Sequence, residues 1–371
     1  MHYRNVCLES FGYTLPDEIV TSEEIEQRLE PLYSRLRLPP GRLELMTGIR
    51  QRRVWPDGML PSEMSIVSGR QAIVDAGVDP AEIGALVHAS VCRDHLEPAT
   101  ACSVHHALGL PEACQIFDLS NACLGLINGA LLVANMIELG QIRAGLVVGT
   151  EHSRPLMETT IRSLNNDPSL TRNSIKRAVA SLTIGSGSAA ILLTDRELSQ
   201  TDNRLVAAAA TAHTAHHRLC HSGRDEAVGD GMAPLMETDS EQLMQHGIAA
   251  GVANFERFLA NAGWQRDDLH KTVCHQVGAA HRKQMLESLG LDVERDFATF
   301  PWLGNTGSVA LPITLARAVE SGHIQPAENV GLLGIGSGIN CVMLAVRWQR
   351  SLAPTKSLTQ QAPAEPVEVA P

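Results

Sequence analysis

The chain has 371 residues, of which 44% are hydrophobic and 4% aromatic, and a formal net charge of −11 at pH 7. This length allows two ordinary domains, or one large duplicated domain, around a substantial core. The negative charge disfavours non-specific binding to nucleic acid or to an anionic membrane. No apolar run is long enough to span a bilayer, and residues 1–7 lack the hydrophobic core of a signal peptide.

The eight cysteines show no paired spacing and mostly lie within apolar runs. This distribution is typical of reduced thiols and differs from a disulfide framework. We therefore expect reduced cysteines and a cytoplasmic protein without a transmembrane segment.

Along the chain, four almost continuously apolar runs predict buried strands, at 86–91, 144–149, 188–194 and 330–335. Longer segments with helical character separate these runs. Strands that are apolar on both faces need helices on both sides, so the pattern predicts a layered α/β architecture. From about residue 352 onward Ala, Pro, Thr, Gln and Glu prevail, which predicts a disordered tail.

Cys123 lies where a β-like run breaks into an apolar helix, within residues 117–126. A thiol at a helix N-terminus faces the positive end of the helix dipole and unpaired backbone N–H groups. Both lower the thiol pKa, so the position predicts a nucleophile. Two further segments with similar glycine punctuation supply His275 and Asn305. Together the three residues indicate carbon–carbon bond chemistry on acyl thioesters.

An internal repeat links two of these residues. Residues 134–142 resemble residues 316–324, and the offset between the two segments also relates Cys123 to Asn305. The repeat predicts that Cys123 and Asn305 lie at equivalent helix starts in two similar halves.

Five segments in this order resemble the thiolase superfamily and its ketosynthase III branch: Ser90–Thr100, Asn121–Leu124, His275–Val277, Gly304–Asn305 and Leu332–Cys341. The resemblance runs from residue 1 to about 349 and is closest to the OleA-type acyl-CoA condensing enzymes of olefin or β-lactone biosynthesis. It implies a duplicated thiolase fold with five α-β-α-β-α layers. We expect a first half over 1–198, a second half over 199–350 and a disordered tail over 351–371.

The resemblance also implies a role for each residue. The thiolate of Cys123 attacks an acyl-CoA, and the backbone N–H groups of Cys123 and Ser337 hold the oxyanion. His275 and Asn305 bind the thioester oxygen of a second acyl chain. Glu97 matches the glutamate that removes the α-proton and that the partner subunit of a homodimer donates across the interface.

These roles imply an acyltransferase that joins two fatty acyl-CoAs head to head by a non-decarboxylative Claisen condensation. The product is a 2-alkyl-3-keto acid, formed through an acyl-cysteine intermediate and released by water. No metal and no cofactor other than the acyl-CoA substrates are expected. Downstream enzymes of the pathway are further candidate partners.

Three alternatives stay open. A 3-oxoacyl-[acyl-carrier-protein] synthase III-like enzyme would condense an acyl group with a malonyl or β-ketoacyl thioester and would tolerate replacement of Glu97 by Gln. A hydroxymethylglutaryl-CoA synthase-like enzyme would carry its glutamate in a different segment. A non-catalytic acyl-binding subunit would usually lack the nucleophile, whereas this chain keeps Cys, His and Asn.

The binding site for the CoA nucleotide departs from the pattern of malonyl-using relatives. Where those relatives carry a tryptophan and an arginine, this chain has Arg42 and Met46. CoA must therefore be held otherwise, and Arg50, Arg52 and Arg53 are the basic candidates.

Two segments outside these motifs have open interpretations. His213, His216, His217, Cys220 and His221 invite a zinc interpretation, but their spacing does not match a closed structural site, so a loop is favoured. The polar segment 165–180 is either a flap near the pocket or a variable surface loop.

Overall fold

We describe residues 1–222 and 236–352 of a computed structural model. The strands are β1 (Val6–Thr14), β2 (Glu18–Thr21), β3 (Gln51–Val54), β4 (Ile83–Ala89), β5 (Gln115–Leu119), β6 (Ala144–Glu151), β7 (Gly187–Asp195), β8 (Arg204–Ala212), β9 (Cys220–Ser222), β10 (Met236–Thr238), β11 (Lys271–Cys274), β12 (Asn329–Gly336) and β13 (Asn340–Arg347).

The α-helices are α1 (Ser22–Arg28), α2 (Glu30–Leu36), α3 (Arg42–Thr47), α4 (Pro61–Ala76), α5 (Thr100–Leu108), α6 (Gly125–Glu138), α7 (Arg154–Asn166), α8 (Ser240–Ala262), α9 (Ala279–Leu289), α10 (Phe300–Leu303) and α11 (Ala310–Glu320). Short 3₁₀ helices span Pro80–Glu82, Ser174–Leu182, Thr214–Leu219, Arg266–Asp268, Val293–Arg295 and Gly307–Val309.

The central sheet has the strand order β11-β12-β13-β8-β1-β7-β6-β4-β5. Strands β1 and β8 pair through Cys7 and Arg204, which joins a five-stranded part to a four-stranded part. The two parts repeat one pattern. In the first part β4 pairs parallel with β6, and β6 pairs antiparallel with β7. In the second part β11 pairs parallel with β12, and β12 pairs antiparallel with β13. A parallel bridge between Thr272 and Asp296 takes the place that β5 has beside β4. This order agrees with two similar halves.

Helices and sheet form five layers. Helices α6 and α11 share one core with the inner faces of both parts of the sheet. Helices α4 and α5 cover the outer face of the first part, and α8 and α9 cover that of the second. Strand β6 shows why its sequence is continuously apolar: Val147 faces the inner core, whereas Leu146 and Val148 face the outer one. Each such side chain contributes about 1.5–3 kcal/mol by its burial.

The four apolar runs are confirmed as strands β4, β6, β7 and β12. The first run differs at its end, because β4 stops at Ala89. Beyond it, the Ser90 hydroxyl donates a hydrogen bond to the Thr150 carbonyl oxygen (2.6 Å), and Val91 is exposed. The residues that leave the sheet here lead toward the site described below.

A smaller layer beside the sheet is built from α1, α2, α3, α7, the β2–β3 hairpin and the 3₁₀ helix Ser174–Leu182. Its core joins Ile25, Leu32 and Val54 to Ile161 and Leu182. The polar segment 165–180 therefore does not stand apart from the fold, because its apolar side chains pack into this layer.

The predicted tail lies outside the described residues, except for residues 351 and 352. The expected boundary between residues 198 and 199 falls in the connection from β7 to β8, and the division into two domains stays a prediction. In the described ranges no helix combines the length and apolar character that crossing a bilayer would require.

Candidate active site

A large cavity of about 1730 Å³ opens between the two halves. Cys123 from the first half and His275, Asn305 and Ser337 from the second half all line it. The residues that were singled out in separate segments of the sequence therefore meet in one place. Ordinary small-molecule pockets measure roughly 300–1,000 Å³, so this cavity has room for a large substrate.

Cys123 lies on a tight turn between the end of β5 and the start of α6. Ala122 adopts a left-handed φ of +47°, which is rare for a residue with a side chain and indicates strain at the turn. Two side-chain hydrogen bonds hold the turn: Asn121 Nδ2 donates to Asn128 Oδ1 (2.7 Å), and Asn340 Nδ2 donates to Asn121 Oδ1 (3.0 Å). Strand β5, helix α6 and strand β13 thus jointly fix the position of the thiol.

The pKa of the Cys123 thiol is raised to about 12, mainly by burial. Nearby Cys220 and Glu151 raise this pKa further, whereas hydrogen bonds from the backbone N–H groups of Cys123 and Ser337 lower it. The expectation of a lowered pKa is therefore wrong for the protein without substrate, because desolvation outweighs the helix terminus. The free site holds a thiol, and the proton must leave as the sulfur reacts.

The turn between β12 and β13 carries Ser337 up to Cys123. A Cβ atom placed on Gly336 would lie 3.0 Å from Leu124 Cγ and 3.6 Å from Cys123 Cβ. Glycine at this position therefore permits the close approach of the two turns. Because the turns lie close together, the Ser337 N–H reaches the Cys123 sulfur, where an oxyanion hole requires a donor.

His275 directly follows β11 and is only 3% exposed. Its backbone N–H donates to the Leu333 carbonyl oxygen (2.9 Å), and neither ring nitrogen has a hydrogen-bond partner among the described residues. Burial, assisted by His281, lowers the His275 pKa to about 3, so the ring is neutral at physiological pH. An unpartnered buried polar group costs about 1–3 kcal/mol, which is typical of a site that a ligand completes.

Asn305 precedes the 3₁₀ helix that leads into α11, as Cys123 precedes α6. Its backbone N–H donates to the Thr183 carbonyl oxygen (2.9 Å), and its Oδ1 accepts the Gly307 N–H (3.0 Å). Since Oδ1 is occupied, the amide Nδ2 is the donor that stays available to a ligand in the cavity. The equivalence of Asn305 and Cys123 agrees with the repeated order of the strands.

Glu97 lies in the connection from β4 to α5 and is exposed on its own chain. It does not line the cavity of that chain. Its neighbour Leu96 is 50% exposed, which leaves apolar surface beside the glutamate. The assignment of Glu97 to a partner's site stays a prediction.

The structure does not bring the three candidate CoA-binding arginines to the cavity. Arg52 is wholly buried, its guanidinium donating to the Val20 carbonyl oxygen (3.3 Å) and to Ser22 Oγ (3.1 Å), and burial lowers its pKa to about 10. Arg53 donates to the Pro16 carbonyl oxygen (2.7 Å). Arg50 is exposed near Glu44.

Other cations do line the cavity, and the sequence interpretation missed them. Arg93 follows Cys92, while Lys176 and Arg177 lie on the 3₁₀ helix Ser174–Leu182. In the described part of the chain none of the three forms an ion pair. The sequence did contain a signal for this site, because two adjacent cations lie in the polar segment 165–180, which was interpreted as either a flap or a surface loop.

Glu151, the last residue of β6, is a further residue that was missed. It is 5% exposed and lines the cavity. Its Oε1 accepts hydrogen bonds from the Ser308 hydroxyl (2.5 Å), the Ser308 N–H (3.3 Å) and the Val91 N–H (3.1 Å). The sequence signal was a carboxylate at the carboxyl end of an apolar strand.

The histidine-rich segment forms the 3₁₀ helix Thr214–Leu219 and strand β9, so it is more ordered than the predicted loop. His216 stacks on His246 with ring centroids 3.7 Å apart. Within residues 1–222 and 236–352 no three metal-ligating side chains converge on one point. Cys220, at the start of β9, lines the cavity near Cys123.

Comparison with known proteins agrees with this geometry. Residues 45–217 match the N-terminal domain of thiolase, and residues 259–348 match the C-terminal domain of 3-oxoacyl-[acyl-carrier-protein] synthase III. The chain is 43% identical over 351 residues to the acyl-CoA:acyl-CoA alkyltransferase of Shewanella oneidensis, covering 94% of this chain and 100% of that protein. The protein of the same name from Xanthomonas campestris is 33% identical over 348 residues, with 94% and 100% covered.

A solved structure is similar over the same length. Xanthomonas campestris OleA with a cysteine-to-serine substitution, determined with bound lauric acid and lauroyl-CoA, has a TM-score of 0.87 and 33% identity, covering 93% of this chain and 100% of that chain. Fold and site thus define an acyltransferase with the thiolase fold and of the ketosynthase III type, as predicted. The chain belongs to the OleA family of acyl-CoA:acyl-CoA alkyltransferases.

Proposed function

We propose that this protein joins two fatty acyl-CoAs head to head by non-decarboxylative Claisen condensation and releases a 2-alkyl-3-keto acid. One observation carries the proposal: a half-buried thiol, a neighbouring backbone donor, an unpartnered histidine ring and the Nδ2 of Asn305 face one large cavity. The names of the relatives, acyl-CoA:acyl-CoA alkyltransferase, support the same chemistry.

The first step forms the acyl-enzyme. Cys123 Sγ attacks the thioester carbonyl, and the N–H groups of Cys123 and Ser337 stabilise the oxyanion. The loss of one such donor typically costs about 3–4 kcal/mol of transition-state stabilisation. Because the free thiol is protonated, its proton must move as the C–S bond forms. That proton ends on the departing CoA sulfur, so that CoA leaves as a thiol.

The second step forms the carbon–carbon bond. His275 and Asn305 donate hydrogen bonds to the thioester oxygen of the second acyl-CoA and stabilise its enolate. We assign removal of the α-proton to Glu97 of a second copy in a homodimer. Support comes from its exposure on its own chain and from the exposed apolar side chain of the adjacent Leu96.

The CoA groups need cationic partners for their phosphates. Arg93, Lys176 and Arg177 line the cavity and are free of ion pairs within the described residues. They replace Arg50, Arg52 and Arg53 as the candidates for this role. Apolar lining residues such as Met59, Leu156 and Leu243 suit the fatty acyl chains.

The test is to incubate the purified protein with myristoyl-CoA alone, to follow CoA release and to extract the products for mass spectrometry. We expect a symmetric ketone with one carbon fewer than the two chains together, because the 3-keto acid loses carbon dioxide spontaneously. Release of CoA with only free fatty acid would contradict head-to-head condensation. Malonyl thioesters would then be tried, since the second domain match is to an enzyme class that uses a carrier protein.

A further inference from the structure

The cavity contains a carboxylate for which the steps above have no use. Glu151 comes from the same chain as Cys123 and lines the same cavity. Three N–H and O–H donors hold its Oε1, and the weakly donating Cys92 thiol is a further hydrogen-bond partner of the carboxylate. No N–H or O–H donor of the described residues reaches Oε2. No lysine or arginine of that part of the chain forms an ion pair with it. Oε1 is thus firmly anchored in protein, and Oε2 can accept a stronger donor from a ligand in the cavity.

Burying a charge without a counter-ion is expensive, and hydrogen bonds concentrated on one carboxylate oxygen offset part of the cost. The anchor is specific: a Cβ atom added to Gly307 would lie 3.1 Å from Glu151 Cγ, so Gly307 allows the loop carrying Asn305 to close over the carboxylate. The charge of Glu151 is also close enough to raise the pKa values of both Cys92 and Cys123. The arrangement fits a donor held between Glu151 and the reacting sulfur.

The proposed reaction requires such a donor. Attack of the enolate on the acyl-cysteine frees Cys123 and leaves a 2-alkyl-3-ketoacyl-CoA. A keto acid is formed only when water cleaves this thioester. A carboxylate with one accessible oxygen, in the cavity that holds the thioester, is suited to orient and deprotonate that water.

We infer that Glu151 is the catalytic residue of this hydrolysis, an inference that rests on the proposed function. Glu151 takes a proton from water as the water oxygen bonds to the thioester carbonyl carbon. The carbon–sulfur bond then breaks, and the CoA sulfur leaves with the proton. The products are the 2-alkyl-3-keto acid and CoA, so that one water is consumed for each thioester cleaved. Glu97 and Glu151 thus serve different steps, α-deprotonation and hydrolysis.

The experiment compares three variants with the unmodified protein: Glu151→Gln, Glu97→Gln and Glu197→Gln. Glu197 is an exposed glutamate outside the cavity and serves as the matched control. Each variant receives either myristoyl-CoA or a synthetic 2-alkyl-3-ketoacyl-CoA with two myristoyl-derived chains. CoA release is followed in a stopped-flow instrument, and mass spectrometry separates the keto thioester from the keto acid.

For Glu151→Gln we expect hydrolysis of the synthetic thioester to fall by about 10²–10⁴-fold, the usual contribution of a general base. The burst of CoA from acylation of Cys123 should persist, and the keto thioester should accumulate. Glu97→Gln should hydrolyse the synthetic thioester at the normal rate while forming no keto thioester from myristoyl-CoA. Should Glu151→Gln fail to fold, Ser308→Ala removes the shortest anchor of Oε1 and should slow hydrolysis selectively.

Three results would overturn the inference. The first is normal hydrolysis by Glu151→Gln. The second is an equal loss of acylation, condensation and hydrolysis, which indicates a structural role. The third is loss of condensation with normal hydrolysis, which makes Glu151 the base for the α-proton. If the unmodified protein hydrolyses the synthetic thioester but forms none from myristoyl-CoA, the proposed function fails instead.

Discussion

The Cys123 thiol should react slowly with electrophiles in the absence of substrate. Burial raises its pKa from the ordinary value of 9.0 to about 12. At pH 8 the thiolate fraction is therefore smaller by about a thousandfold than that of an unshifted thiol, since the fraction falls tenfold per unit. The structural cause is burial, which outweighs the two backbone N–H donors.

The assay is alkylation by iodoacetamide at pH values from 7 to 10, with peptide mass spectrometry to separate Cys123 from the other seven cysteines. The rate at Cys123 should rise about tenfold per pH unit across the whole range, because the thiolate is the reactive form. Partly exposed Cys102 provides an internal comparison in the same sample. A plateau at Cys123 below pH 9 would refute the argument, since it would show that the helix terminus and the Ser337 N–H outweigh desolvation.

Three further predictions concern the proposed reaction. Mixing Glu97→Gln with Cys123→Ala subunits should restore roughly a quarter of the normal condensation activity. Half of the dimers are then mixed, and each mixed dimer has one intact site out of two. No recovery of activity would contradict a base donated by the partner subunit. His275→Ala should lower kcat by about 10²–10³-fold and leave the melting temperature unchanged or higher, because the buried ring makes no hydrogen bond in the described structure. The double variant Lys176→Ala and Arg177→Ala should raise KM for myristoyl-CoA but not for myristoyl-pantetheine, which lacks the nucleotide phosphates; equal effects on both substrates would exclude a role in phosphate binding.

The fold was predictable because its signals are local. Strands such as β6 are buried on both faces, so the run 144–149 had to be continuously apolar. The equivalent positions of Cys123 and Asn305 could also be predicted from the sequence, since a duplication keeps the spacing between a helix start and the residues that follow it. The motifs led to the right family because three of them hold residues that line the cavity, Cys123, His275 and Asn305.

Other features depend on which residues lie nearby in space, and the sequence alone could not decide them. An arginine is normally exposed, yet Arg52 is wholly buried because Val20 and Ser22 supply acceptors for its guanidinium. Glu151 ends an ordinary strand, and only the approach of Ser308, more than 150 residues later in the chain, makes it part of the cavity.

The sequence by itself determined the α/β class, the four strands predicted from apolar runs, and the choice of Cys123, His275 and Asn305 as residues of one site. The tertiary structure decided the protonation of Cys123, the burial of Arg52 and the presence of Glu151 beside the thiol. The physical reason is that apolar pattern and helix starts are properties of neighbouring residues. Desolvation and electrostatic coupling, by contrast, depend on atoms brought together from distant parts of the chain.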